Sequence, residues 1–365
     1  MALQCGIVGI TNVGKTTLFN CMSKTKAESS NYAFSSNKSN ISIVEVPDSR
    51  LQELAGLVNP AKINPATVEI VDIPGLTKGS SKGEGVGNQF LSDIRNCDAL
   101  IHVLRCFDDD NLPHIDGSVD PIRDKETVEF ELQVKDLESI EKKMIRLEKM
   151  LKAGEKDAKK GVEVLNKCKA HLENFESIRT LDLADDEQKH IADLFLLTNK
   201  PVLYVCNVDE ASVTNGNNYV NKVKEAVKVE NTEVLTIAAK LEAEIAELEE
   251  EEDRLEFLKD VGLTEPSVNL MIRSAYFLLD YISFFTAGPK EVRAWTIRRN
   301  ATAPQAAGAI HSDLERGFIR AEVIKYDDYV QLGSENACKD AGKLHVEGKS
   351  YIVQDGDVMH IRFNV

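Results

Sequence analysis

Gly9-Ile10-Thr11-Asn12-Val13-Gly14-Lys15-Thr16 has the spacing G-x-x-x-x-G-K-[ST]. An apolar run, Gly6–Ile10, precedes it and a helix-like run, Thr17 to Asn20, follows, which is the strand–loop–helix context that the motif requires. Glycines let successive backbone N–H groups curl around phosphate oxygens, and the helix N-terminus adds the positive end of its dipole. Lys15 then brings a point charge to the β- and γ-phosphates, and the Thr16 hydroxyl is placed to ligate Mg²⁺. Further along, Val68-Glu69-Ile70-Val71-Asp72-Ile73-Pro74-Gly75 delivers a carboxylate and a glycine to the end of an apolar strand. This D-x-x-G pattern predicts that Asp72 reaches Mg²⁺ through water and that the Gly75 amide senses the γ-phosphate.

The residue after Gly75 is Leu76, where Ras-like switches carry a water-orienting glutamine. Leu76 has no polar atom, so another group must hold the attacking water. Gly79 to Gly87 is glycine-rich and charged, which suits a mobile switch. Asn207-Val208-Asp209-Glu210 ends a strand where the base-specificity motif N-K-x-D is expected. Asn207 fits the motif; Val208 replaces the lysine and Glu210 the aspartate. In the guanine clamp the aspartate accepts from N1–H and the 2-amino group, and adenine offers neither donor in that arrangement. A longer, displaced carboxylate weakens that clamp, although service of Glu210 to guanine stays open. Thr236 to Lys240 falls where the last base-contacting loop belongs.

These residues need a sheet to present them. Short apolar runs at Gly6–Ile10, Ile41–Val46, Val68–Ile73, Ala99–Cys106, Val202–Asn207 and Glu233–Ala238 alternate with helical stretches. That pattern predicts βαβ units and a mostly parallel sheet. From Asp124 the period changes. Phe130, Val134, Leu137, Ile140, Met144, Leu147 and Leu151 recur at steps of three and four. Ala153-Gly154 interrupts, and Val162, Leu165, Cys168, Leu172 and Phe175 repeat the spacing. An antiparallel helical hairpin inserted in one α/β domain is expected. From Tyr281 the chain is electrically neutral, with strands at Glu291–Arg298 and Phe318–Lys325, a helix at Pro304–Arg316, and a hairpin pairing Lys349–Val353 with Asp357–Phe363. This reads as a small α+β domain of β-grasp type. The expected boundaries are 1–124 with 199–280, 125–198, and 281–365.

The 365 residues are 42% hydrophobic and carry a formal net charge of −16, which excludes wholesale disorder and nucleic-acid binding through the average field. DNA is not an expected partner. The seven cysteines are scattered and never spaced C-x-x-C, against a disulfide framework or a zinc ribbon and for a reducing compartment. No signal-peptide pattern and no run of 18 apolar residues is visible, so a cytoplasmic chain without a membrane span is expected.

The order of motifs, the helical insertion and the β-grasp tail resemble the YchF-type Obg-like ATPases over essentially the whole chain. The most specific stretches are NVGKTTLFN at 12–20, DIPGLTKGSSKGEGVGNQFL at 72–91, NVDE at 207–210, and 284–323, which resembles a TGS domain. The resemblance implies a Mg²⁺-dependent ATPase that prefers ATP to GTP and associates with ribosomes or translation factors. It implies phosphate contacts from Asn12, Val13, Gly14, Lys15, Thr16 and Thr17, and adenine contact from Val208. Asn31-Tyr32-Ala33-Phe34-Ser35-Ser36 resembles the family's N-Y-P-F-C-T, which makes Ser36 the second hydroxyl ligand of Mg²⁺, with Ala33 and Ser36 as departures from the pattern. His114 matches a histidine proposed to replace the missing glutamine; read alone, a single loop histidine is more often a bystander. Asn12 either helps hold a K⁺ beside the phosphates, as in potassium-stimulated switches, or only stabilises its loop. Two other readings stay open: a GTPase with a degenerate base motif, and a nucleotide-gated scaffold whose hydrolysis is incidental.

Overall fold

A computed structural model describes residues 3–24, 40–75, 86–152 and 156–364. The first sheet has the strand order β2-β4-β1-β5-β6-β7, from β1 (Gln4–Val8), β2 (Asn40–Glu45), β4 (Thr67–Asp72), β5 (Ala99–Arg105), β6 (Val202–Asn207) and β7 (Val234–Ile237). Its central strands pair in parallel, with Ile7 opposite both Asp72 and Ile101, and Arg105 opposite Asn207. Every residue of β5 and β6 is buried. Helices on both faces explain why these strands read as unbroken apolar runs instead of alternating ones.

The chain divides into two compact units, one from Met1–Ser42 with Glu69–Met271, the other from Ile43–Val68 with Ile272–Val365. The division differs from the sequence boundaries. Residues 43–68, which lie between the two switch motifs, belong with the C-terminal unit. There α2 (Ser49–Val58) is held by Arg50, which pairs with Asp355 at 2.8 Å and stands over the Phe285 ring at 5.2 Å. Tyr326 donates to Glu53 at 2.6 Å, and β3 (Ile63–Asn64) adds a parallel strand beside Val292 and Arg293. No local pattern announces these partners, because they lie more than 200 residues away.

The helical hairpin is present as α4 (Pro121–Lys152) and α5 (Lys156–Glu173), numbered here after α1 (Lys15–Lys24) and α3 (Val86–Asn96). Its seam buries Ile140, Val164, Leu165, Cys168 and Leu172, with Leu137, Met144 and Leu147 packed beside them. Three members of the expected stripe depart from it, among them Leu151, which is exposed in the last turn of α4. Phe130 is 46% exposed and Phe175, beyond the end of α5 at φ 61°, is 72% exposed; the two rings stack at 6.3 Å. The first turns of α4 face the sheet, so Val128, Leu132 and the polar Glu131, Gln133 and Asp136 are buried there instead. Ala153 and Gly154 lie outside the described residues.

The C-terminal unit has a second sheet, ordered β11-β10-β12-β8-β9-β3, from β8 (Tyr281–Ala287), β9 (Val292–Arg298), β10 (Phe318–Ile324), β11 (His345–Glu347) and β12 (Val358–Phe363). β8 was absent from the sequence expectations. The expected hairpin of 349–353 with 357–363 does not form. Residues 349–353 contribute a single bridge, Ile352 to Thr302, while β12 pairs antiparallel with β10 and parallel with β8. The buried Asp357 carboxylate is the physical reason: it accepts from the Gln354 amide at 2.9 Å, Tyr351 hydroxyl at 2.7 Å and Lys325 at 2.6 Å, which folds 351–357 into a closed loop. The expected helix over Pro304–Arg316 is two, Ala303–Ile310 and Ser312–Arg316. His311 between them is extended, and its ring nitrogen accepts the Asp313 amide as a cap.

Asp136 shows how the hairpin is pinned to the sheet. Fully buried, it accepts from the amides of Leu197 and Thr198 at 2.8 Å each and from the Thr198 hydroxyl at 2.7 Å. Burial pushes its carboxyl up, and these three donors oppose the rise. Asp136→Ala leaves three buried donors unpaired at ~1–3 kcal/mol each before relaxation. The expected outcome is a loss of about 3 kcal/mol in urea unfolding; a midpoint within 0.5 kcal/mol of the parent, roughly the scale of an inert surface change, would contradict this account.

Candidate nucleotide site

The parallel strands place three loops at one edge of the sheet: the glycine loop after β1, Ile73 to Gly75 after β4, and the turn after β6. Gly9 and Gly14 sit at φ 149° and 98°, a region that penalises a side chain. A Cβ on Gly14 would stand 2.5 Å from the Asn207 side-chain nitrogen. Asn12 takes the left-handed region at φ 61°, which asparagine tolerates, and is exposed.

Lys15 is 7% exposed and donates to the Ile10 carbonyl at 2.5 Å across the inside of the loop. Burial lowers its ammonium to about 8, and Asp72 only partly offsets that. A phosphate arriving at the loop would restore a full positive charge. Thr16 donates its hydroxyl to Asp72 Oδ2 at 3.1 Å. Asp72 Oδ1 is buried without a hydrogen-bond partner among the described residues. Burial raises the Asp72 carboxyl, against the Thr16 hydrogen bond and the Lys15 charge. Gly75 is close as well: a Cβ there would lie 2.8 Å from the Thr11 methyl and 3.2 Å from Lys15 Nζ. Lys15, Thr16, Asp72 and Gly75, far apart in sequence, therefore converge on one point.

Asn207 ends β6 and turns its amide into the protein. Nδ2 donates to the Val13 carbonyl at 2.9 Å, and Oδ1 accepts from the Ala239 amide at 2.9 Å. The glycine loop, the base motif and the final loop are thereby joined by one side chain. Val208 is 4% exposed, with its amide on the Ile237 carbonyl at 2.9 Å. Glu210 is exposed in a short turn that Asp209 caps through the Ser212 amide at 2.9 Å. Ser36 and Leu76 lie outside the described residues, so the second hydroxyl of the metal set has no described position. Thr17 follows in α1, half-buried.

His114 stands apart from the converged group. Its Nε2 lies 2.9 Å from Asp124 Oδ2 and its Nδ1 accepts the Asp116 amide at 3.1 Å. Both ring nitrogens are thus engaged, which holds this part of the loop in place. Sequence reasoning missed Asp124. The signal was there in an acid at the start of α4, ten residues after the histidine. It also missed Arg105, which is 2% exposed and organises the same loop. His114, Asp116 and Asp124 lie close enough to share a cation, as do Glu322, Glu335 and His360. The first proximity is explained by the ring-to-carboxylate hydrogen bond. In the second, Glu322 is already paired with Arg362 at 2.9 Å and Arg320 at 3.7 Å. All seven cysteines are buried and none is in a disulfide, and no helix among the described residues is long and apolar enough to cross a membrane.

Comparison with known proteins agrees with this arrangement. Residues 4–167 match the family model of 50S ribosome-binding GTPases, and 281–364 match that of the YchF-GTPase C-terminal domain, described as a protein of unknown function. The chain is 51% identical to a protein of Haemophilus ducreyi and 50% identical to one of Bacillus subtilis, each over 100% of both chains and each called ribosome-binding ATPase YchF. The solved structure of the Schizosaccharomyces pombe YchF GTPase superposes with a TM-score of 0.86 at 35% identity, over 99% of this chain and 97% of that one. A glycine loop, a D-x-x-G strand and an asparagine clamp joined over so complete a match place the chain in the YchF family of P-loop nucleoside triphosphatases.

Proposed function

We propose that this protein is a Mg²⁺-dependent ATPase whose nucleotide state governs binding to the ribosome. The observation that carries the reading is the buried Asp72 Oδ1, without a hydrogen-bond partner among the described residues, beside the Thr16 hydroxyl and at the foot of Lys15. An orphaned carboxylate oxygen next to a hydroxyl is a donor set for a hard cation. Thr16 would hold Mg²⁺ directly, Asp72 through water, and Ser36 is proposed as the second hydroxyl. Bound there, the ion neutralises charge on the β- and γ-phosphates. The residues of the chain do the rest: the amides of 12 to 17 and Lys15 bind phosphate, the Gly75 amide registers the γ-phosphate, and His114 orients the attacking water. Asn12 stands exposed on the same loop, which leaves it free to serve a K⁺ ion there.

The preference for ATP rests on 207–210. Val208 takes the place of the lysine, and Glu210 stands exposed with one more methylene than aspartate. Asp209 is occupied by its own turn. None of these reproduces the acceptor pair that reads guanine. Full-length relatives carry the name ribosome-binding ATPase, and a ribosomal partner accords with a cytoplasmic protein. The acidic chain must then use local basic patches. Arg293, stacked on Trp295 at 3.9 Å, and the exposed Arg298 are the two arginines of β9 available for this, on opposite faces of the strand. Arg299 lies beyond the strand and is paired with Asp280 at 3.2 Å.

Three outcomes are expected. Displacement of a fluorescent ATP analogue by GTP should need at least about tenfold more competitor than displacement by ATP, a gap of ~1.4 kcal/mol; equal potency would favour a GTPase with a degenerate base motif. His114→Ala should slow single-turnover hydrolysis by about 10²–10⁴-fold with ATP affinity nearly intact. A loss under about threefold, well short of that range, would make His114 a bystander. Arg293→Glu with Arg298→Glu should reduce ribosome co-sedimentation most strongly at low salt and make what remains less salt-dependent; identical pelleting of variant and parent across the salt series would reject a role for these arginines.

A further inference from the structure

The loop carrying His114 leaves β5 at the sheet edge where the glycine loop leaves β1, because the two strands are parallel with Val8 opposite His102. Arg105 fixes the first half of that loop. Its guanidinium donates to the carbonyls of Phe107, Leu112 and Asp109 at 3.2, 2.8 and 3.3 Å and lies over the Phe107 ring at 4.8 Å.

The second half is fixed by His114 itself, and the hydrogen bonds assign its proton. Nδ1 faces a backbone N–H, that of Asp116 at 3.1 Å, so this nitrogen carries a lone pair. An imidazolium would present N–H to N–H there and is excluded. The single ring proton therefore sits on Nε2, 2.9 Å from Asp124 Oδ2, and the ring donates to the carboxylate. The two side chains are 4% and 1% exposed. The other Asp124 oxygen has Arg123 at 3.4 Å, a loose contact that leaves the carboxylate turned to the ring. This is how a buried acid fixes an imidazole for catalysis elsewhere: it accepts from one nitrogen and so dedicates the other to the reacting proton.

We infer that Asp124 is the positioning residue for His114, holding the proton on Nε2 so that Nδ1 is the acceptor that orients the attacking water. Nδ1 exchanges the Asp116 amide for a water O–H when ATP is bound; the Asp124 bond persists. The inference rests on the reading of His114 given above.

Single-turnover hydrolysis and ATP affinity are measured on the full chain for Asp124→Asn, Asp124→Glu, His114→Ala and the double variant Asp124→Asn/His114→Ala. An asparagine at 124 can donate as well as accept, which permits the wrong tautomer. Asp124→Asn should lose about 10²–10⁴-fold in hydrolysis, with ATP affinity within about threefold of the parent. The double variant should be no slower than His114→Ala, because the acid acts only through the ring, and Asp124→Glu should recover part of the rate. Ring ¹⁵N spectra of the parent, with the His114 signals identified by their loss in His114→Ala, should show a protonated Nε2 and a bare Nδ1. Parent-like hydrolysis in Asp124→Asn beside a slow His114→Ala would overturn the role of Asp124 alone. Losses that multiply in the double variant would overturn it too, as would a proton on Nδ1 in the parent spectrum, which decides the matter even where Asp124→Asn does not fold. A His114→Ala that hydrolyses like the parent would instead remove the reading of His114 and the inference with it.

Discussion

The side-chain amide of Asn207 is the contact on which the nucleotide site depends. It reaches the glycine loop through the Val13 carbonyl and the last loop through the Ala239 amide, both at 2.9 Å. The clamp also constrains its neighbours. Gly14 must lack a side chain, since a Cβ would lie 2.5 Å from the same amide nitrogen. With β6 as its anchor, the clamp holds the loop open for phosphate while Lys15 spans its interior to the Ile10 carbonyl. A buried amide satisfied at both ends is costly to break, because each lost partner leaves an unpaired polar group.

Behind the sheet, a second polar cluster ties the helical insertion to the strands. Arg179 contacts Glu129 and Glu230, Lys125 reaches Glu129 at 2.9 Å and Glu230 at 3.2 Å, and the Tyr204 hydroxyl donates to the same carboxylates at 3.0 Å. Burial opposes ionisation of Glu129, yet Arg179 and Lys125 hold it down to about 2. His102 beside them is driven to about 3 by burial and stays neutral. Two cations and two carboxylates balance, so α4 can leave the sheet from a neutral, fully paired base. Such a cluster specifies geometry more than it stabilises. That geometry sets where α4 begins, and hence where Asp124 meets His114.

The C-terminal unit claims residues 43–68 by the Arg50 ion pair, the Tyr326–Glu53 hydrogen bond and the β3–β9 pairing. The chain between the two switch motifs is thus built into a different compact unit from the motifs themselves.

The phosphate chemistry was legible in the sequence because it is local: G-x-x-x-x-G-K-T and D-x-x-G each fit in one loop at the end of one apolar strand. The helical hairpin was legible because its period of three and four persists over many turns. Phe130 and Phe175 left the stripe where α4 turned its first face to the sheet, a competition that periodicity does not see. The hairpin expected at 349–363 failed because the Asp357 carboxylate gathers three donors and closes a loop, while β12 finds partners in β8 and β10. Arg105, Asp124 and Arg50 look like ordinary charges in a 28% charged chain. Only burial and long-range pairing distinguish them, and those are decided when distant strands and helices pack. Sequence determined which groups could touch phosphate; tertiary structure decided which buried partners hold those groups in place, because satisfying a desolvated polar atom is a property of the whole fold.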